Sequence, residues 1–347
     1  MSRRRAAAGA TAGAAALVAL AGAPVLARRR VAVGHDVAPV AALPPLAGRE
    51  RTVRTQDGVE LAVVEHGAED APSATVLLVH GWVQSSRLWD GQVRDLLSAR
   101  PDLRVVTYDH RGHGRSGPTP RDRATIAQLG RDLAEVVEAV SPDGPVLLVG
   151  HSMGGMTVMA LAEQRPELLD ERVAGVALVG TSAADLAIGT YQLPAPVARL
   201  AQRLVPVLGE LGVLAERRGL PRYVGPLDRW LLFPRGADPE LVRQALDVHR
   251  ASSAEVVAAF LPTLSGHDRR AALRALAHVP AVVVVGDQDR LCPLAHSQAL
   301  AAALPSSELT VFPGVGHMVH LERRPEVSAI LLGLLDRALT PCADPVR

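Results

Sequence analysis

The chain has 347 residues, enough for one large domain or two ordinary ones. With 48% hydrophobic and 21% charged residues it can bury a sizeable core, which excludes a disordered polymer. The net charge of +1 hides an asymmetry, because six Arg and no acid fall in residues 1–30, and the other 31 Arg face 36 Asp and Glu, a balance of −5. A mildly acidic body argues against a nucleic-acid partner. The chain has no Asn, which excludes N-glycosylation, and its two cysteines, Cys292 and Cys342, lack metal-ligand spacing. They read as inert thiols, or as a disulfide if the protein is exported.

Residues 6–27 are uncharged and bracketed by Arg3–Arg5 and Arg28–Arg30. As a helix they would span about 33 Å, enough for a bilayer core. Twelve of the 22 are Ala and only five are Leu or Val, so the span is weakly apolar. Three readings stay open: a membrane anchor, which is preferred, a cleaved export signal, and an extension that meets no membrane. A linker rich in Ala, Pro and Val closes this first unit at residue 50.

From Arg51 onward, strands and helices alternate. Thr52–Thr55 and Val59–His66 flank a Gln56-Asp57-Gly58 turn and predict a hairpin. Apolar runs predict strands at Thr75–His80, Leu103–Asp109, Pro145–Gly150, Val173–Val179, Ala281–Gly286 and Leu309–Phe312. Thr125 is placed to cap a helix whose buried face carries Ile126, Leu129, Leu133, Val136, Val137 and Val140. Such runs lack polar alternation and predict a mostly parallel sheet buried on both faces. The first part of this α/β core is residues 51–185 and the second is 269–347. Between them, residues 186–268 break the rhythm and hold five of the nine aromatic residues: Tyr191, Tyr223, Trp230, Phe233 and Phe260. This stretch reads as an inserted helical lid with an apolar face.

Gly150-His151-Ser152-Met153-Gly154-Gly155 carries the strongest chemical signal. The Gly-x-Ser-x-Gly pattern alone is weak, but it sits between a buried strand and a helix-prone run. A turn that tight strains the serine backbone, exposes its hydroxyl and requires glycine where other backbone comes close. His80-Gly81-Trp82 ends an earlier strand. The main-chain N–H groups of Trp82 and Met153 are the oxyanion-hole candidates. Asp109-His110-Arg111-Gly112-His113-Gly114-Arg115-Ser116-Gly117 reads as a structural loop, and neither His110 nor His113 is the expected base. Asp289 follows the run Ala281–Gly286, where an acid orienting an imidazole is expected. Asp287 reads as a turn cap and Asp185 as the rival acid. His317 follows Pro313-Gly314-Val315-Gly316 and is the expected base, ahead of His320 and His296.

From about Arg51 to Leu339 the chain resembles the α/β-hydrolase superfamily, with these motifs in order. Gly150–Ala160 and Gly286–Pro293 are similar to actinobacterial members with an N-terminal hydrophobic segment. The resemblance implies the α/β-hydrolase fold, a Ser152–Asp289–His317 triad and a lid, but no substrate. Haloalkane dehalogenases and epoxide hydrolases place Asp where this chain has Ser152, and proline iminopeptidases favour a different elbow sequence. No metal- or nucleotide-binding pattern suggests a cofactor. The preferred expectation is a carboxylic ester hydrolase acting on a small or lipid-like ester. A perhydrolase, a thioesterase, a carbon–carbon bond hydrolase and a non-catalytic ligand-binding protein of the same fold are the alternatives.

Overall fold

The computed structural model describes residues 46–186, 207, 209–220 and 224–340. The segment 6–27, Tyr191, Tyr223 and Cys342 lie outside them. Eight strands form one sheet: β1 (Arg49–Arg54), β2 (Glu60–Gly67), β3 (Thr75–Val79), β4 (Arg104–Tyr108), β5 (Val146–His151), β6 (Val173–Val179), β7 (Ala281–Gly286) and β8 (Ser307–Phe312). Their spatial order is β1-β2-β4-β3-β5-β6-β7-β8. β1 pairs with β2, and β2 with β4, in antiparallel fashion; every later pair is parallel.

Side chains on a strand alternate between faces, so one sheet builds two cores. Along β3, Leu77 and Val79 face α2 (Ile126–Val140) and α3 (Met153–Gln164), which supply Leu129, Leu133, Met156 and Val158. Val76 and Leu78 join the opposite core with Val93 and Leu96 of α1 (Asp90–Ala99). The carboxyl-terminal helix Arg324–Leu339 adds Val327, Leu331 and Leu334 to that core. Thr125 caps α2 by accepting the Gln128 N–H at 3.1 Å. The expectation of strands buried on both faces fails at β8, where Leu309 and Val311 are exposed. β8 is one of the sheet's two edge strands, so it is covered on fewer sides although Leu309 and Val311 are apolar.

Within residues 186–268, α4 (Pro226–Leu232), α5 (Pro239–Ala251) and α6 (Ala254–Ser265) are helical. An antiparallel bridge between Ala184 and Asp268 joins the two ends of this insertion. Leu232, Phe233, Val242 and Leu246 pack with Leu88 and Met318 of the α/β core, which seats the insertion over the strand ends.

The loop after β4 is held by buried charge. Arg111 is fully buried; its Nε and Nη2 donate to Asp132 of α2 at 2.6 Å, and Nη1 and Nη2 donate to Asp57 at 2.9 Å. Removing one partner of such a pair strands the other charge and costs about 3–5 kcal/mol. Asp132→Ala is expected to lose that much in urea denaturation. A loss under about 1 kcal/mol would show that Asp57 alone satisfies Arg111.

Candidate active site

Ser152 stands between the last residue of β5 and the first of α3, with φ 53° and ψ −119°. This region is nearly forbidden to non-glycine residues and costs roughly 1–3 kcal/mol. Bonds on both sides hold it there. The Ser152 N–H donates to the Val179 carbonyl at 2.9 Å, and the Ser152 carbonyl accepts from Gly155 N–H at 3.0 Å and Thr181 Oγ1 at 2.7 Å. The turn leaves no room at its glycines. A Cβ on Gly150 would lie 2.5 Å from the Gly155 nitrogen, and one on Gly155 would meet Thr181 at 2.6 Å. The serine itself is half-buried.

His317 and Asp289 meet in the loops after β8 and β7. His317 Nδ1 lies 2.8 Å from Asp289 Oδ2, and both side chains are buried. Asp289 Oδ1 accepts the N–H groups of Leu291 and Cys292, each at 2.8 Å. The carboxylate only accepts, so Nδ1 carries the proton and Nε2 is left with a lone pair. Asp287 Oδ1 accepts the Gly314 N–H at 2.8 Å and so ties the acid loop to the histidine loop. The rival acid Asp185 is 76% exposed and pairs with Arg270 at 3.3 Å, away from His317. His296 lies on the helix Leu294–Ala303 and His320 on the short helix Val319–Glu322. Cys292 is a buried free thiol, pushed well up by burial and by Asp289.

The loop after β3 carries Trp82. Gly81 N–H donates to Gln84 Oε1 at 2.9 Å, so it is already satisfied within the loop. The N–H groups of Trp82 and Met153 have no acceptor among the described residues; for Met153 this follows from its place at the start of α3. The β4 loop clamps this loop from behind. His80 Nε2 accepts the His110 N–H at 2.9 Å, while His110 Nε2 donates to the His80 carbonyl at 3.0 Å. These bonds assign both tautomers: His80 donates from Nδ1 to the Gly81 carbonyl, and His110 Nδ1 accepts from Tyr108 Oη. His113 donates from Nδ1 to the Arg111 carbonyl and packs on Phe260 of α6.

Strand ends thus bring Ser152, His317, Asp289 and two free main-chain donors to the carboxyl edge of a parallel sheet, where ligands bind in open α/β folds. The sequence model for the "alpha/beta hydrolase fold" family matches residues 74–324. The chain belongs to the α/β-hydrolase family. A curated relative named "Putative carbamate hydrolase RutD", from Caulobacter sp. (strain K31), is 30% identical over 76% of this chain and 90% of the relative. Two solved esterases superpose on the fold. One from Exiguobacterium antarcticum is 20% identical, with a TM-score of 0.67 over 82% of this chain and 98% of that one. One from Thermogutta terrifontis is 25% identical, with a TM-score of 0.64 over 84% and 100%.

Sequence reasoning missed several groups around this α/β-hydrolase site. The His317 N–H donates to the Leu232 carbonyl at 2.9 Å, at the end of α4. Arg290, next to Asp289, donates to the Trp230 and Phe233 carbonyls at 2.5 and 3.0 Å and lies 4.9 Å from the Trp230 ring. Glu322 accepts the Gly316 N–H at 2.8 Å, and burial raises its pKa. Gln84 and His151 complete the set. No sequence signal marks their partners, which lie up to 234 residues away. No group of three metal-ligating side chains occurs among the described residues, and no helix among them is long and apolar enough to cross a membrane.

Burial keeps most of the surrounding histidines neutral. It lowers His80, holds His110 and His151 well below the ordinary 6.5, and takes His113 and His320 down to about 3 and His267 to about 4. A ring that resists protonation only when folded leaves the unfolded chain to bind protons first as pH falls. Stability is therefore intact above 6.5 and is lost between 6.5 and the folded values, by up to about 1.4 kcal/mol per pH unit per ring. Urea midpoints should fall steeply from pH 6.5 to 5, above the carboxylate range. A flat profile there would mean that these rings are already charged or solvated in the folded protein.

Proposed function

We propose that this α/β-hydrolase is a serine-dependent carboxylic ester hydrolase. The observation that carries the reading is the buried His317–Asp289 pair placed at the same strand edge as a serine in a strained strand-to-helix turn. Ser152 Oγ attacks the ester carbonyl carbon while His317 Nε2 takes its proton. Asp289 holds the imidazole in the productive tautomer and stabilises the imidazolium. The N–H groups of Trp82 and Met153 hold the oxyanion; removing one such donor costs about 3 kcal/mol of transition-state stabilisation. His317 returns the proton to the leaving alcohol, and water repeats the sequence on the acyl-enzyme. Leu232 and Phe233 are buried where the insertion meets the core, and we assign the insertion the role of a lid that favours apolar acyl groups.

Carbamates are the second substrate class, favoured by the name of the Caulobacter relative. A panel of p-nitrophenyl esters of increasing acyl length, with matched carbamates, separates the two by kcat/KM. Ser152→Ala should abolish ester turnover and fluorophosphonate labelling while the protein still folds. Asp289→Asn should lower kcat by about 10⁴, the loss seen when a serine-protease triad loses its carboxylate. Near wild-type turnover in Ser152→Ala would overturn the assignment.

For residues 6–27 we propose a membrane anchor, supported by their length and flanking arginines. Full-length protein from its native host should pellet with membranes, intact by mass and released by detergent rather than salt. Intact protein in the soluble fraction would exclude the anchor.

A further inference from the structure

The residue before the nucleophile is placed to do more than fill space. Gln84 Oε1 accepts the Gly81 N–H at 2.9 Å, and a main-chain donor cannot reverse its polarity. The amide orientation is thereby fixed, with Gln84 Nε2 on the Met318 Sδ side at 3.6 Å. The same Oε1 lies 3.1 Å from His151 Nδ1, and His151 Nε2 lies 3.0 Å from the His317 carbonyl. Both ring nitrogens therefore face oxygens that can only accept. A neutral imidazole has one N–H, so it satisfies one of these oxygens at a time. Double protonation would satisfy both, but the ring is fully buried and its ring neighbours are His317 at 4.7 Å, His320 at 4.3 Å and Trp89 at 6.5 Å. Burial and these neighbouring imidazoles disfavour a second proton on the ring, and the nearby Asp289 carboxylate is already bonded to His317.

We propose that His151 is a positioning residue which, with Gln84, ties the oxyanion loop to the main chain of the base and keeps both in register with Ser152. Its single N–H sits either on Nδ1, donating to Gln84 Oε1, or on Nε2, donating to the His317 carbonyl. Water that reaches the ring on local opening exchanges the two by giving a proton to the bare nitrogen and taking one from the other. In one tautomer the ring braces Gly81 and Trp82 through Gln84, and in the other it braces His317. The inference rests on the roles proposed above for Ser152, His317 and Trp82. The tie reaches both halves of the site through backbone, so its loss should act on the transition state more than on substrate binding.

The test uses the full chain labelled with ¹⁵N-histidine, with His151→Phe assigning the resonance and Gln84→Leu removing one acceptor. The wild-type ring should show ¹⁵N shifts averaged between the two neutral tautomers. Gln84→Leu should move it to the form protonated at Nε2, because the His317 carbonyl is then the remaining acceptor. Each variant should lower ester kcat by roughly 10- to 100-fold with KM within about twofold. The double variant should be no worse than the weaker single one, as expected when two changes break one tie. A single fixed tautomer that Gln84→Leu leaves unchanged would overturn the proposal, as would additive losses in kcat or single variants within twofold of wild type. If His151→Phe does not fold, Gln84→Leu decides through its spectrum, because its kcat also reflects the loss of the Gly81 acceptor. Turnover surviving in Ser152→Ala would sink the triad reading instead, while the spectrum still judges the tie.

Discussion

The strained backbone at Ser152 is the constraint on which the rest of the site depends. A φ of 53° with ψ of −119° holds only if the neighbours over-determine it. Here β5 ends and α3 begins with no linker, and the serine main chain is bonded to β6 on one side and to the first helical turn on the other. Gly150, Gly154 and Gly155 are required because backbone and Thr181 fill the space where side chains would stand. The same geometry leaves the Met153 N–H without an intrahelical acceptor and aims the positive end of α3 at the serine. The proposed nucleophile and the proposed oxyanion donor are thus both placed by one turn.

The parallel sheet supplies the second half of the arrangement. Because β3, β5, β7 and β8 run in one direction, their carboxyl ends lie side by side, and residues from four distant stretches of sequence converge. The loops between them are fixed by polar bonds more than by apolar packing: Asp287 to Gly314, Glu322 to Gly316, and His80 against His110. The bonds of Glu322 and of His80 with His110 are buried or partly so, where an unmet donor costs about 1–3 kcal/mol, whereas the Asp287–Gly314 bond is exposed. A loop that shifted would break several such bonds at once, so the loops keep a single arrangement.

What could be read from sequence divides along the same line. Buried parallel strands are continuous apolar runs, so β3, β5 and β7 stood out, and the elbow was legible because strand and helix signals flank it directly. β8 misled because Leu309 and Val311 are apolar on an outer strand. Asp289 was preferred over Asp185 from sequence although both follow a strand; the contact that separates them, which carboxylate faces His317, spans 28 residues and has no local signal. His151 was visible only as the variable position of a motif. Its partners Gln84 and His317 are 67 and 166 residues away, and no local pattern encodes bonds of that range.

The insertion is bonded to the acid and histidine loops as well as packed above the strand ends. The His317 N–H finds its acceptor in Leu232, at the last turn of α4, and Arg290 grips two carbonyls of the same segment from the position next to Asp289. A hydrogen-bonded imidazole and carboxylate are therefore each one residue or less from a bond to α4. The core contributes the serine and the strand ends, whereas the orientation of the histidine and acid loops depends jointly on core and insertion. A change in how α4 seats on Leu88 and Met318 must move the Leu232 carbonyl, and with it the main chain that carries His317. Residues that line the insertion and residues that aim the histidine are consequently not independent sets, and substitutions at their junction act on both.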